Sequence, residues 1–122
     1  MILSVQQIKY ELLAYIKEFG GDFSQWYVSV ASDPKATLTS IHRVDTDAGL
    51  WIYKQALTAR AACTAQAYFV DLLGTDGKRS DAPTEDCDCV YAYRKDLGTE
   101  PGWAEGRSAP DRPAGEAAGS QA

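Results

Sequence analysis

The stretch Trp26-Tyr27-Val28-Ser29-Val30-Ala31-Ser32-Asp33-Pro34 reads as a buried strand that runs straight into a helix. Residues 26–31 are aromatic, β-branched or small, a composition that fits a pleated and half-buried surface. Asp33 can cap the helix that follows. Pro34 suits its first turn, where a missing N–H costs nothing. Leu38 and Ile41 then fall on the side that would meet a core.

Before this segment, Ser4 and Gln7 stand in capping-box spacing. Val5, Ile8, Leu12, Ile16 and Phe19 recur at helical spacing until Gly20-Gly21 stops the run. A helix is predicted over residues 5–19, with Lys9, Glu11 and Lys17 on its far face. After it, residues 43–49 form a polar loop and residues 50–56 a second strand. Thr58 caps a third helix that runs through Leu73 and ends at Gly74, with Ala62, Ala65, Phe69, Val70 and Leu73 inward. Residues 74–86 form a long turn-rich loop. Alternation over residues 87–93 predicts a third strand with Cys87, Cys89, Tyr91 and Tyr93 on one face. Beyond it the chain turns to Gly, Pro, Ala, Ser and charges, with too little apolar surface to offset its ordering entropy. The expected organisation is a single domain over residues 1–95 and a disordered tail over 96–122. The expected fold class is α+β, a small three-stranded sheet with helices packed on it in the order α-β-α-β-α-β.

With 122 residues, 45% of them hydrophobic, the chain can bury one modest core. No apolar run approaches the roughly 20 residues that span a bilayer, and the polar N-terminal stretch does not read as a signal peptide. The three cysteines do not pair into a disulfide framework, so a cytoplasmic location is expected. A formal charge of −5 disfavours a general nucleic-acid coat, because phosphate binding draws its affinity from lysine and arginine.

Residues 26–70 resemble the GIY-YIG nuclease family. Tyr27-Val28-Ser29 stands where that family has Tyr-Ile-Gly. Asp33, Leu38 and His42 follow at about the spacing of its helix, and Gln66-Ala67-Tyr68-Phe69-Val70 looks like its later helix. The resemblance implies a glutamate that holds one divalent metal, an arginine that stabilises charge on the phosphate, and tyrosines that orient or activate water. Here the arginine position holds Thr37 and the glutamate position holds Gln66. An amide is a poorer ligand than a carboxylate for a hard cation, and threonine brings no charge. If the alignment holds, the site is silent. The family's first half-motif is absent ahead of Trp26, while Cys89-Val90-Tyr91 has its shape. A permuted sheet with this last strand beside the first would place Tyr91 where the family has its first tyrosine. The competing reading of Tyr91 is an ordinary amphipathic strand.

Other chemistry reads weakly. Cys87 and Cys89 with Cys63 and His42 could reach four metal ligands, but they offer only one closely spaced pair, and packing explains them better. His42, the only histidine, reads as a helix-end residue before it reads as a general base. Gly74 to Gly77 lacks the lysine-serine ending of a phosphate loop and reads as a turn.

These observations predict a non-catalytic, GIY-YIG-like binding protein, accessory or inhibitory, that needs no cofactor and engages a protein partner. A basic nucleic-acid-binding protein is one such partner. The expected contact surface combines exposed aromatics at Trp26 and Trp51 with the acidic residues Asp81, Glu85, Asp86 and Asp88. Two alternatives stand beside it. One is an active nuclease in which Tyr27, His42 and Tyr91 do the chemistry with Mg²⁺ or Mn²⁺. The other is an acidic mimic of nucleic acid that blocks a basic groove.

Overall fold

A computed structural model describes residues 2–77, 86–96 and 99. The expected tail over 96–122 lies almost wholly outside them. The described chain is α+β, as the hydrophobic periodicity predicts, but its sheet has four strands where three are expected. The additional strand is β1 (Ile2–Leu3), two residues long and therefore too short to carry a periodic signal. It leads through Ser4 into α1 (Val5–Glu18), where both halves of the capping box form: the Gln7 amide donates to Ser4 Oγ at 3.2 Å and the Ser4 amide to Gln7 Oε1 at 2.9 Å. A short 3₁₀ turn, Phe23–Gln25, then delivers the chain to β2 (Trp26–Ala31).

Asp33 caps α2 (Pro34–Ser40) by accepting from the Ala36 amide at 3.2 Å. Strand β3 (Trp51–Ala56) leads to Thr58, whose hydroxyl caps α3 (Ala59–Ala67). Where a continuous α-helix through Leu73 is expected, the last turn widens into a π-helix, Tyr68–Leu73. The wider turn keeps Phe69 fully buried and swings Leu72 out to solvent, and Gly74 closes it at φ 86°. The last strand is β4 (Cys89–Arg94).

The strand order is β1-β3-β4-β2, so the last strand made lies between the two long strands that precede it. β4 runs antiparallel to both, with Ser29 and Tyr53 each opposite Tyr91, while β1 pairs parallel to β3. One face of the sheet buries Trp26, Val28, Val90 and Ala92 against Ile8, Leu12 and Ile16 of α1 and Ala62, Ala65 and Phe69 beyond α3's start. Each fully buried valine, leucine, isoleucine or phenylalanine here contributes about 1.5–3 kcal/mol. The other face carries Tyr27, Tyr91 and Tyr93 under Leu38 of α2 and Val44 of the loop that follows. Ile41, expected in the core, is instead exposed at the end of α2 (36%), because the chain turns there to bring His42 inward.

The two outer edges differ. Along β2, Asp76 donates its amide to the Trp26 carbonyl at 2.8 Å and accepts from the Val28 amide at 2.9 Å, a parallel bridge made by the loop after α3. The loop passes so close that a Cβ on Gly77 (φ 152°) would lie 2.2 Å from the Val28 carbonyl oxygen. Only glycine fits there. Along β3, β1 pairs with Gln55 and Ala56 alone. Among the described residues, no strand flanks Trp51 to Lys54 on that side.

Candidate functional site

The three residues that the nuclease alternative would use, Tyr27, His42 and Tyr91, do come together. They do so inside the core. Alternation along β2 and β4 sends Tyr27, Tyr91 and Tyr93 to one face, and the turn after α2 folds His42 down onto them. All four side chains are 0–1% exposed. His42 Nε2 lies 2.6 Å from the Tyr91 hydroxyl and Nδ1 lies 3.1 Å from the Tyr93 hydroxyl. A neutral imidazole has one donor and one acceptor nitrogen, so one of these tyrosines donates to the ring while the other accepts from it. The Tyr27 ring stacks on Tyr93 with centroids 5.3 Å apart and tilts against His42 at 4.7 Å. Its centroid is 6.3 Å from that of Tyr91.

The expected neighbourhood of β2 and the last strand is therefore present. The part Tyr93 plays in it was not legible beforehand. The alternation over residues 87–93 placed Tyr93 on the same face as Tyr91, and that was the only signal available.

Thr37 and Gln66, which the resemblance would align with an arginine and a glutamate, both have structural work. Thr37 lies on α2 and donates its hydroxyl to the Asp33 carbonyl at 3.0 Å, within its own helix. Gln66, fully buried on α3, donates from Nε2 to the Val28 carbonyl at 3.1 Å. That carbonyl points out of β2's edge, beside the Asp76 bridge. Only a side chain with an N–H or O–H to donate can serve it. An ionised glutamate has neither.

The expected contact surface divides. Trp26 is fully buried, packed edge-on against Tyr15 of α1 with centroids 5.8 Å apart, and it cannot belong to an exposed patch. It points to the helical face of the sheet, opposite to Tyr27. Trp51 is half-buried on the other face and donates its indole N–H to the Thr46 carbonyl at 2.9 Å. Its ring lies nearly parallel to that of Tyr53, at 10° and 6.2 Å between centroids, and Tyr53 is 41% exposed. Tyr53 was not singled out from the sequence, although alternation along residues 50–56 puts it on the same side as Trp51. At the far end of the row, Gln55 Nε2 donates to Asp88 Oδ2 at 3.0 Å. Asp86 is exposed nearby in sequence, while Asp81 and Glu85 lie outside the described residues.

Cys89 is buried on β4 between Ala31 and Gln55, with its thiol 3.7 Å from Asp88 Oδ1. Burial and then the adjacent Asp88 carboxylate push its pKa up to about 11, which keeps it a neutral thiol. Cys63 and Cys87 are half-buried. Among the described residues, no three of His, Cys, Asp and Glu gather into a set that could hold a metal ion. No described helix is long and apolar enough to cross a membrane. No protein-family model, curated protein or solved structure matches this chain.

Proposed function

We propose that this chain is a non-catalytic binding protein, a GIY-YIG-like module whose motif residues have become core and whose contact surface is the exposed part of β3. One observation carries the reading: Tyr27, His42 and Tyr91 are sealed from solvent and hydrogen-bonded or stacked on one another. A general base or a water-orienting hydroxyl must come within about 3 Å of the reacting atoms. A phosphodiester cannot reach these groups without unfolding the layer formed by α2 and its loop. Gln66 is similarly committed, holding a backbone carbonyl where a metal-binding carboxylate would be needed.

The adjacency of β4 to β2, with Tyr91 opposite Ser29, is what a permuted arrangement of the family's two motif strands requires. It supports the family reading without restoring the chemistry. The stacked pair of Trp51 and Tyr53 supplies what interfaces commonly use, a large and rigid aromatic area near acidic groups that steer a basic partner.

The test has two arms. Purified protein incubated with DNA or RNA and Mg²⁺ or Mn²⁺ leaves the nucleic acid intact. Affinity capture with the wild-type and Tyr53→Ala chains, each with and without added nuclease, retains one protein partner on the wild type only, in both nuclease conditions. Cleavage that disappears in Tyr27→Phe, or capture that needs intact nucleic acid, overturns the proposal.

A further inference from the structure

Among the described residues, part of the β3 backbone has no strand to pair with on its outer side. The Ala56 amide donates to the Asp88 carbonyl and the Arg94 amide to the Leu50 carbonyl, so the even-numbered residues of this segment face β4. In an antiparallel ladder the alternate residues point their N–H and C=O groups the other way. Gln55 is covered there by β1. Trp51 and Tyr53 are not covered by any strand among the described residues. An open edge of this kind is a template for one more strand, and proteins commonly bury, bulge or charge such edges to prevent chance pairing. This molecule does cover its other edge, with the Asp76 bridge and the Gln66 side chain. The openness of β3 is therefore not general to the fold.

The side chains beside that edge say what would fit. Trp51 and Tyr53 form a continuous aromatic step. The step ends on one side at the loop over residues 43–49, which holds two aspartates and one arginine and is tied to Trp51 through the Thr46 carbonyl. On the other side it ends at Asp88, bound by Gln55 about 14 Å along the strand from Trp51 at 3.4 Å per residue. The strand cations beside the step lie on the opposite face: Lys54 pairs with Glu11 of α1 at 3.9 Å, and Arg94 alternates away from Tyr93, which leaves Arg43 of the loop against its two aspartates. An aromatic step with acid at both ends favours guanidinium, which stacks on the ring faces and pairs with carboxylates.

We infer that the open edge of β3 takes an extended, arginine-bearing segment of a protein partner as an added strand. Its backbone bonds to Trp51 and Tyr53 while its alternate side chains lie over the aromatic step. This inference rests on the binding-protein reading and specifies the partner's chemistry.

The probe is a short synthetic peptide of alternating arginine and threonine, added to the full-length chain. Binding is followed by titration calorimetry, and amide hydrogen exchange is followed at residues 51–54. The peptide binds, and the Trp51 and Tyr53 amides become protected. N-methylation of the peptide amides that would face β3 weakens binding roughly tenfold, as expected from losing about two net hydrogen bonds. Tyr53→Ala weakens it comparably while the melting temperature holds. Equal binding of the N-methylated peptide means that charge alone attracts it, and overturns the added strand. Protection at residues 51–54 that rises with protein concentration in the absence of peptide means a second copy is the occupant, and also overturns it. Partner capture that depends on Tyr53, with no response to any peptide, overturns this inference and leaves the binding-protein reading intact.

Discussion

The sheet face that lies away from α1 and α3 has two halves built from the same materials, and they end in opposite states. Over β2 and β4, three tyrosines and a histidine are closed to solvent. Over β3, a tryptophan and a tyrosine stack in reach of it. The residue types do not distinguish the halves. The cover does: α2 is seven residues long, and with Val44 it shields only the strands beneath Leu38. Where the cover reaches, polar tips must find partners inside the protein, and His42 lies between two tyrosine hydroxyls. Where it stops, the tips meet water and the rings remain available to another molecule. The edges repeat the contrast among the described residues, with β2 bridged by Asp76 and β3 unpaired beyond β1.

The sharpest test of that contrast is truncation on the closed side. Tyr91→Ala removes a fully buried ring and one of His42's partners, and should cost about 3–5 kcal/mol in urea unfolding. A cost below about 1 kcal/mol would mean that the closed half is loosely packed. Gly77→Ala comes next. Its Cβ would strike the Val28 carbonyl oxygen at a backbone conformation few side chains adopt, so the loop must withdraw and unseal β2's edge. A loss of about 1–3 kcal/mol, with faster amide exchange at Val28, is the expected outcome.

Cys89 lies on the border between the halves, opposite both Ala31 and Gln55. Its pKa rises from 9.0 to about 11 on folding, so the folded state holds the thiol proton more tightly than the unfolded chain does. The sign follows: this contribution is fully present below pH 9 and is lost progressively as pH rises toward 11. Chemical unfolding across pH 8–11 should show that decline, and Cys89→Ala should flatten it. An unchanged slope in the variant would assign the decline to other groups. The smallest effect on stability belongs to Tyr53→Ala, within about 0.5 kcal/mol as for most exposed positions. A drop like that of Tyr91→Ala would erase the distinction between the halves.

Much of the architecture was legible because it is local. The Ser4–Gln7 box, the Asp33-Pro34 start, the Thr58 cap and the Gly74 stop each depend on neighbours a few residues apart, and each forms. What was not legible depends on distance in the chain. A two-residue strand such as β1 exists only because Gln55 and Ala56 are there to pair with it. The burial of Trp26 follows from which face α1 covers, and an aromatic residue alone does not reveal that. Ile41, expected inward, is exposed and the helix-end His42 is buried, because the turn after α2 carries one out and the next in. Of the candidate site, Tyr27, His42 and Tyr91 were named and do meet. Their enclosure, and the opening at Tyr53, are set by the length of α2 and its loop.

The position of β4 also fixes an order of events in synthesis. Both β2 and β3 take their long antiparallel partner from a strand made after them. Until residues 89–94 leave the ribosome, neither long strand has its ladder and the tyrosine–histidine nest lacks two of its four members. The helices can form early from local signals, but the sheet cannot assemble piecemeal from the N-terminus. Folding should therefore be late and abrupt, governed by distant pairings. An arrested nascent chain that stops short of β4 should be cut by protease throughout β2 and β3, and one that exposes β4 should resist it.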